Sequence, residues 1–370
     1  MSTGYSAVST EVPHVSGDRG PQTDDPLGDN APDERTRRRS TSITTDFRPG
    51  SFGLRDTWFP VAHTSLVGRR GLRRAIHGLP VHLWRSEGSL VASEDSPADR
   101  ERGRRRASSF TGGSGFYPSV ERYGYVWVWY GDPANASPDL IPAIPFLPED
   151  RGLRRHQLAN VVFDCSYELV CENLLDLTHA DYLHSSLTGD ALSDDDVVEV
   201  TSTSETVTMT RTATGRRTPK AQRQLAKSEF QDFRAVTLVY VRSGVCLLHG
   251  DFRPGMSVRM VHPANPESTN RCRTTVSFNP QRGPAWARAM MPLSAHLVGR
   301  QDNWALKPQN SLYLRPDGEK DLNSRFDTAG LRYRRLFLAL VERQIRGDTS
   351  YLADGDPGRD VTAELGLDRP

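Results

Sequence analysis

The densest chemistry in the chain lies in Glu172-Asn173-Leu174-Leu175-Asp176-Leu177-Thr178-His179-Ala180-Asp181-Tyr182-Leu183-His184. On a helix, Asp176 and His179 are three apart and share a face. His184, five residues beyond His179, reaches the same point if the helix loosens or ends near Thr178–Tyr182. Two imidazoles and one carboxylate on the same side of an ion form the facial arrangement of non-haem Fe(II), which leaves open positions for oxygen and substrate. The carboxylate must then come from a distant part of the chain: Asp302, in Arg300-Gln301-Asp302-Asn303-Trp304, Asp321 and Asp327 are the candidates. The His-x4-His spacing alone is weak, because imidazoles are also common buried hydrogen-bonding groups.

The elements that must position these groups are set by a chain of 370 residues, enough for one large or two medium domains, with 36% apolar residues to build a core. Forty-seven basic and 46 acidic side chains leave a formal charge of +1, so no whole-chain field recruits nucleic acid or an anionic membrane. The longest apolar stretches, around Tyr123–Tyr130 and Leu336–Val341, fall far short of the roughly 18–20 residues of a bilayer span. Met1–Gly50 lacks a basic-then-apolar secretory pattern, and a cytoplasmic location is expected. Cys165, Cys171, Cys246 and Cys272 lack the CxxC pairing of a structural zinc site and are expected as reduced thiols. Only four of the basic residues are Lys (Lys220, Lys227, Lys307 and Lys320), a skew that GC-rich bacterial coding explains.

Residues 1–48 hold few large apolar side chains and read as a disordered leader. Residues 50–135 read as a small β-rich lobe, with strands at Trp58-Phe59-Pro60-Val61, Ile76–Trp84 and Tyr125-Val126-Trp127-Val128-Trp129-Tyr130. The stretch from Glu94 to Gly115, with Arg102-Gly103-Arg104-Arg105-Arg106, reads as a mobile basic loop. Residues 136–346 open with a Pro-rich connector and follow with a helical run at Tyr167–His184. Strand candidates come next at Val198–Ala213, Phe233–Val241, Val245–Phe252, Ser257–His262 and Arg273–Phe278, then helices at Trp286–Gln309 and Ala329–Arg346. Residues 347–370 read as a C-terminal tail. The expected class is α+β, an antiparallel sheet gripping a helix with a concavity between them that Leu293–Trp304 helps to line.

The segment 172–184 closely resembles the mononuclear-iron motif of Rieske-type aromatic-ring oxygenase α subunits, in the vanillate-demethylase and pheophorbide-oxygenase-like branch. Trp58-Phe59-Pro60-Val61 and Val120–Pro133 resemble the strands that open and close that family's N-terminal lobe. Gln301-Asp302 with Gln309, and Asp327-Thr328-Ala329 with Arg334-Arg335, resemble its C-terminal helices. The resemblance implies a Rieske-like lobe joined to a helix-grip (Bet v1/START-like) catalytic domain, with His179, His184 and Asp302 as ligands of Fe(II). It implies that Asp176 is the acid bridging the electron route to a ligand histidine, and a carboxylate on His179 would also fix its tautomer.

The family's other cofactor, a [2Fe–2S] cluster on two Cys and two His, has no match here. Residues 1–164 contain no Cys, and where the family reads Glu-Asp-x-Cys-Pro-His-Arg this chain has Glu94-Asp95-Ser96-Pro97-Ala98-Asp99-Arg100. The span from Arg100 to Tyr117 is too short for the second ligand loop. No cluster is expected on this polypeptide, and His63, His77 and His82 are expected as packing or surface residues. The implied function is an oxygenase or oxidase using Fe(II) and O2 on a mid-sized, mostly apolar organic substrate within a homo- or hetero-oligomer. Its electrons would come from a cluster-bearing homologous subunit, a ferredoxin or reductase, or the substrate itself. The alternative is a catalytically silent structural or regulatory partner of an intact oxygenase.

Overall fold

The computed structural model describes residues 53–106, 108–150, 158–184, 195–220, 222–282, 284–313 and 327–368. The leader expected over residues 1–48 and the candidate Asp321 lie outside them. The chain runs through β1 (Thr57–His63), β2 (Leu72–Ile76), β3 (Leu79–Ser86), β4 (Ser89–Ser93), α1 (Pro97–Glu101), β5 (Ser119–Arg122) and β6 (Tyr125–Tyr130). These strands form two three-stranded antiparallel sheets, β1-β6-β5 and β2-β3-β4. The remainder comprises β7 (Leu158–Phe163), α2 (Tyr167–Leu175), α3 (His179–Leu183), β8 (Val197–Ser202), β9 (Thr206–Arg217), α4 (Arg223–Ala226), β10 (Phe230–Tyr240), β11 (Val245–Arg253), β12 (Ser257–Pro263), β13 (Asn265–Ser268), β14 (Arg271–Arg282), α5 (Ala285–Tyr313) and α6 (Thr328–Ile345). Its eight-stranded antiparallel sheet runs β13-β14-β12-β11-β10-β9-β8, with β7 added on β14. The α+β class is as the sequence reads, but Val198–Ala213 is two strands, β8 and β9, paired as a hairpin.

Side-chain alternation in β10 explains why the large sheet is covered on both faces. Val239 joins a helix-side core with Leu169, Cys171, Tyr333 and Phe337, whereas Val236, Leu238 and Tyr240 join an opposite core with Trp58, Trp127 and Trp129. Strand β6 is buried on both faces in the same way: Tyr125, Trp127 and Trp129 reach the large sheet, and Val126, Val128 and Tyr130 fill the small lobe. Each buried aromatic removes a large apolar area from water, and the rings meet edge-on, as Trp58 and Trp129 do at 5.3 Å. All four cysteines are free and buried.

Two expected loose segments are ordered parts of this body. Between Glu94 and Gly115 the Asp95 carboxylate accepts from Arg106 N at 3.0 and 3.1 Å, Glu94 accepts from Ser108 N at 3.2 Å, and α1 is capped by Ser96. Buried carboxylates satisfied by main-chain donors close this loop, a pattern that composition does not announce. The stretch read as a tail from residue 347 packs Val361 and Leu365, each 0% exposed, beside the tryptophans of the opposite core. Arg242 fastens its start, donating to Thr349 O at 2.8 Å and Ser350 O at 3.3 Å.

Candidate metal centre

The helical run through 172–184 is broken where the site needs it. Asp176 ends α2: its Oδ1 accepts from Thr178 N at 2.9 Å and from Thr178 Oγ1 at 2.5 Å, an Asx turn that competes with the next helical turn. The chain restarts as α3, whose first residue is His179 and whose C-cap is His184. The two imidazoles therefore stand at opposite ends of one short turn, rings edge to face with centroids 5.4 Å apart.

Helix α5 brings the third group. Asn303 Oδ1 accepts from Asp164 N at 2.7 Å and Asn310 Oδ1 from Ser166 N at 2.8 Å, so two amides latch α5 to the turn that starts α2. One turn before the first of these contacts Gly299 lets the helix lie directly on β7, since a Cβ there would sit 2.5 Å from Val161 Cγ1. Asp302, 6% exposed, is thereby turned inward. Leu293, Leu297 and Trp304 are exposed, while His296, Gly299, Arg300, Asn303 and Trp304, from the stretch expected to line a concavity, border a cavity against Asn160, Val161 and Val162 of β7.

One ligand atom from each of His179, His184 and Asp302 lies within 4.8 Å of the other two, the only such trio of His, Cys, Asp or Glu among the described residues. Asp302 Oδ1 is 2.9 Å from His184 Nε2 and 3.5 Å from His179 Nε2. Donor atoms about 2.1 Å from one ion and at right angles to each other are about 3 Å apart, so these spacings fit a shared metal. The outer nitrogens fix the tautomers. His184 Nδ1 donates to Gln301 Oε1 at 2.8 Å and His179 Nδ1 to the Asp176 carbonyl, so both Nε2 lone pairs face the Asp302 carboxylate. Lone pairs against an anion require a cation between them, a metal ion or a proton. The titration behaviour reflects the same demand. Burial works to raise the Asp302 carboxyl, yet hydrogen bonds from the two imidazoles, once a proton is taken up at Nε2, hold it well below the usual carboxylate range, and burial of His179 is outweighed by Asp302, which raises its pKa.

Of the sequence candidates, Asp302 joins the imidazoles, while Asp327 lies at the start of α6 and outside the trio. The expectation of an Asp176 carboxylate on His179 is corrected. The main-chain carbonyl of Asp176 makes that contact, because its side chain is committed to Thr178. Sequence reasoning missed Gln301 as the group that orients His184, and it missed His262. In β12, Val258 and Met260 pack with Met291 and Ala295 of α5, and strand alternation puts His262 on that same helix-facing side. Its Nε2 is buried without a hydrogen-bond partner, and burial pushes its pKa down to about 4, so the ring is neutral near Asp302. The alternation Val258, Met260, His262 was the available signal.

Residues 163–343 match the family described as the vanillate O-demethylase oxygenase C-terminal domain. The oxygenase subunit of vanillate O-demethylase from Pseudomonas sp. (strain ATCC 19151) is 40% identical over 73 residues, 20% of this chain and 22% of that protein. The oxygenase component of chloroacetanilide N-alkylformylase from Rhizorhabdus wittichii is 29% identical over 164 residues, 41% of this chain and 46% of that protein. These matches thus span between about a fifth and a half of the relatives' lengths. In fold, dicamba monooxygenase bound to 3,6 dichlorosalicylic acid superposes with a TM-score of 0.66 at 19% identity, covering 79% of this chain and 98% of that one. The terminal oxygenase of carbazole 1,9a-dioxygenase from Nocardioides aromaticivorans IC177 gives 0.55 at 16% identity, covering 84% and 98%. Over residues 163–343 the chain is similar in sequence to the vanillate O-demethylase oxygenase C-terminal domain, and over about four fifths of its length it shares the fold of dicamba monooxygenase.

Proposed function

We propose that this protein is a non-haem Fe(II)-dependent oxygenase or oxidase acting on a mid-sized organic substrate, with His179, His184 and Asp302 as the iron ligands. The observation that carries the reading is the convergence of two Nδ1-protonated imidazoles and one buried carboxylate on a point that calls for a cation. Ferrous iron, when bound there, supplies open positions for dioxygen chemistry. The chain's own groups do the rest. Gln301 and the Asp176 carbonyl orient the rings, Met260 and Phe278 give the sheet an apolar floor, and His262 offers a neutral ring nitrogen for a polar substituent of the substrate. Aromatic substrates are favoured by the named relatives, which include vanillate and toluene-4-sulfonate oxygenases.

The residues present do not fit a [2Fe–2S] cluster. Residues 1–164 hold no Cys, Pro97 and Asp99 lie in α1, and the loop around them is closed by Glu94 and Asp95. Electrons therefore reach this chain in trans, from a cluster-bearing homologous subunit or a ferredoxin and reductase, or come from the substrate. The test is anaerobic purification with iron analysis, then oxygen-dependent turnover alone and with a cluster-bearing homologue. One iron per chain, with turnover in the mixture, is expected. Turnover without the homologue would assign the electrons to the substrate, and a chain that takes up no iron would end the enzymatic reading in favour of a silent partner.

A further inference from the structure

Helix α3 carries both imidazoles yet has almost nothing to hold it. It has five residues, too few to be stable alone. Tyr182 is 69% exposed, and the helix's one buried side chain is Asp181, 5% exposed. Asp181 Oδ2 accepts from Arg211 Nη2 at 2.5 Å. Arg211 stands on β9, is 1% exposed, and also donates from Nη1 to Leu177 O at 3.0 Å, inside the turn that separates α2 from α3. Its Nε donates to Asp196 Oδ2 at 3.0 Å, and its guanidinium lies 5.1 Å from the ring centroid of Phe233. Arg216 completes the network, donating to Asp196 at 2.8 and 2.9 Å with a nitrogen 3.6 Å from Asp181. Two buried carboxylates and two guanidinium groups balance in charge, as buried ions must.

We infer that Arg211 is a positioning residue of the metal centre, clamping the Leu177 carbonyl and the Asp181 carboxylate together so that His179 and His184 are held at ligand spacing by the sheet. The inference rests on the metal-centre reading given above. A planar fork with donors on two edges is what the task demands. An ammonium at the end of a lysine stem cannot span a carbonyl and two carboxylates at once.

The test is Co(II) titration of the full chain, followed by the d–d absorption of the bound ion, with thermal unfolding of the metal-free protein measured alongside. Arg211→Lys should bind Co(II) about tenfold or more weakly and with altered band intensities, the scale of effect seen for groups that orient metal ligands. Arg242→Lys is the control. Arg242 is 4% exposed, forks onto Glu205 just before β9 and donates to Thr349 O and Ser350 O at the start of the C-terminal segment, so its loss should lower the melting temperature comparably and leave Co(II) affinity and spectrum as in wild type. Equal Co(II) binding by Arg211→Lys and wild type would overturn the inference. If Arg211→Lys does not fold, Asp181→Asn, which leaves the bond to Leu177 O in place, is read the same way: weakened Co(II) binding is expected, and wild-type affinity would overturn it. His179→Ala keeps the two readings apart, because undiminished Co(II) binding by that variant would remove the metal centre itself.

Discussion

At the scale of single residues, the site depends on which nitrogen of each imidazole carries the proton. Gln301 Oε1 accepts from His184 Nδ1 at 2.8 Å from an otherwise exposed position, so Gln301→Ala should leave stability nearly unchanged while weakening metal affinity about 10- to 100-fold. Metal titration beside thermal melting checks both halves of that statement. Asp176 makes the opposite prediction. Its carboxylate caps Thr178 and its carbonyl holds His179, so Asp176→Asn, which keeps a side-chain oxygen for Thr178, should retain the wild-type metal affinity. A large loss in that variant would mean that the carboxylate, not the main chain, orients the ring. The motif Asp176-x2-His179-x4-His184 made the imidazoles candidates, on a spacing that is weak without the resemblance. It could not separate a side-chain oxygen from a main-chain one three residues before His179, because both lie on the same side of a helical turn.

Elements must then carry Asp302 to the imidazoles, and here the distances are small enough to be tested. Gly299 is buried against Val161 with no room for a Cβ. Gly299→Ala should push α5 off β7, destabilise by roughly 1–3 kcal/mol as overpacked sites do, and weaken metal binding through the displaced Asp302. Val161→Ala in the same chain should restore much of both, and a double-mutant cycle in melting and metal titration measures the coupling. Strictly additive effects would deny the contact its role. The existence of α5 and α6 and most of the strands was legible from periodicity. The latch that fixes α5 was not, since Asn303 and Asn310 meet Asp164 and Ser166 across 139 and 144 residues of chain. An amide that accepts from a distant main-chain N–H has no local signature. The choice of Asp302 over Asp327 was therefore readable from resemblance and not from spacing.

For the whole molecule, the large sheet is the shared wall, with helices on one side and the small lobe and C-terminal segment on the other. The last segment was misread as a tail because Val361 and Leu365 are isolated apolar residues in a polar stretch, yet both are fully buried. Leu365→Ala should cost about 2–5 kcal/mol, as truncation of a buried leucine does, measurable by urea unfolding. The same two-sided burial traps titratable groups, and their opposing signs can be read from pH. Burial lowers His63 to about 4 and His77 to about 3 from 6.5, so below pH 6.5 the unfolded chain binds protons that the folded chain refuses, and stability falls with falling pH. Glu168, 7% exposed at the start of α2, is raised by burial from 4.5 to about 7. Its folded form holds the proton longer, so its contribution is fully present below pH 4.5 and is lost as pH rises through about 7. His262, lowered to about 4 in the same way, makes three histidines opposing one carboxyl between those limits, and stability should rise with pH by about 2.7 kcal/mol per unit, the value for two net protons. Glu168→Gln removes the opposing group: relative to wild type it should gain on the order of 3 kcal/mol between pH 4.5 and 8, and its stability should rise about one and a half times as steeply with pH up to 6.5. Urea unfolding of both proteins at pH 4.5, 6 and 8 measures this, and parallel curves would show that the carboxyl does not titrate differently in the folded chain.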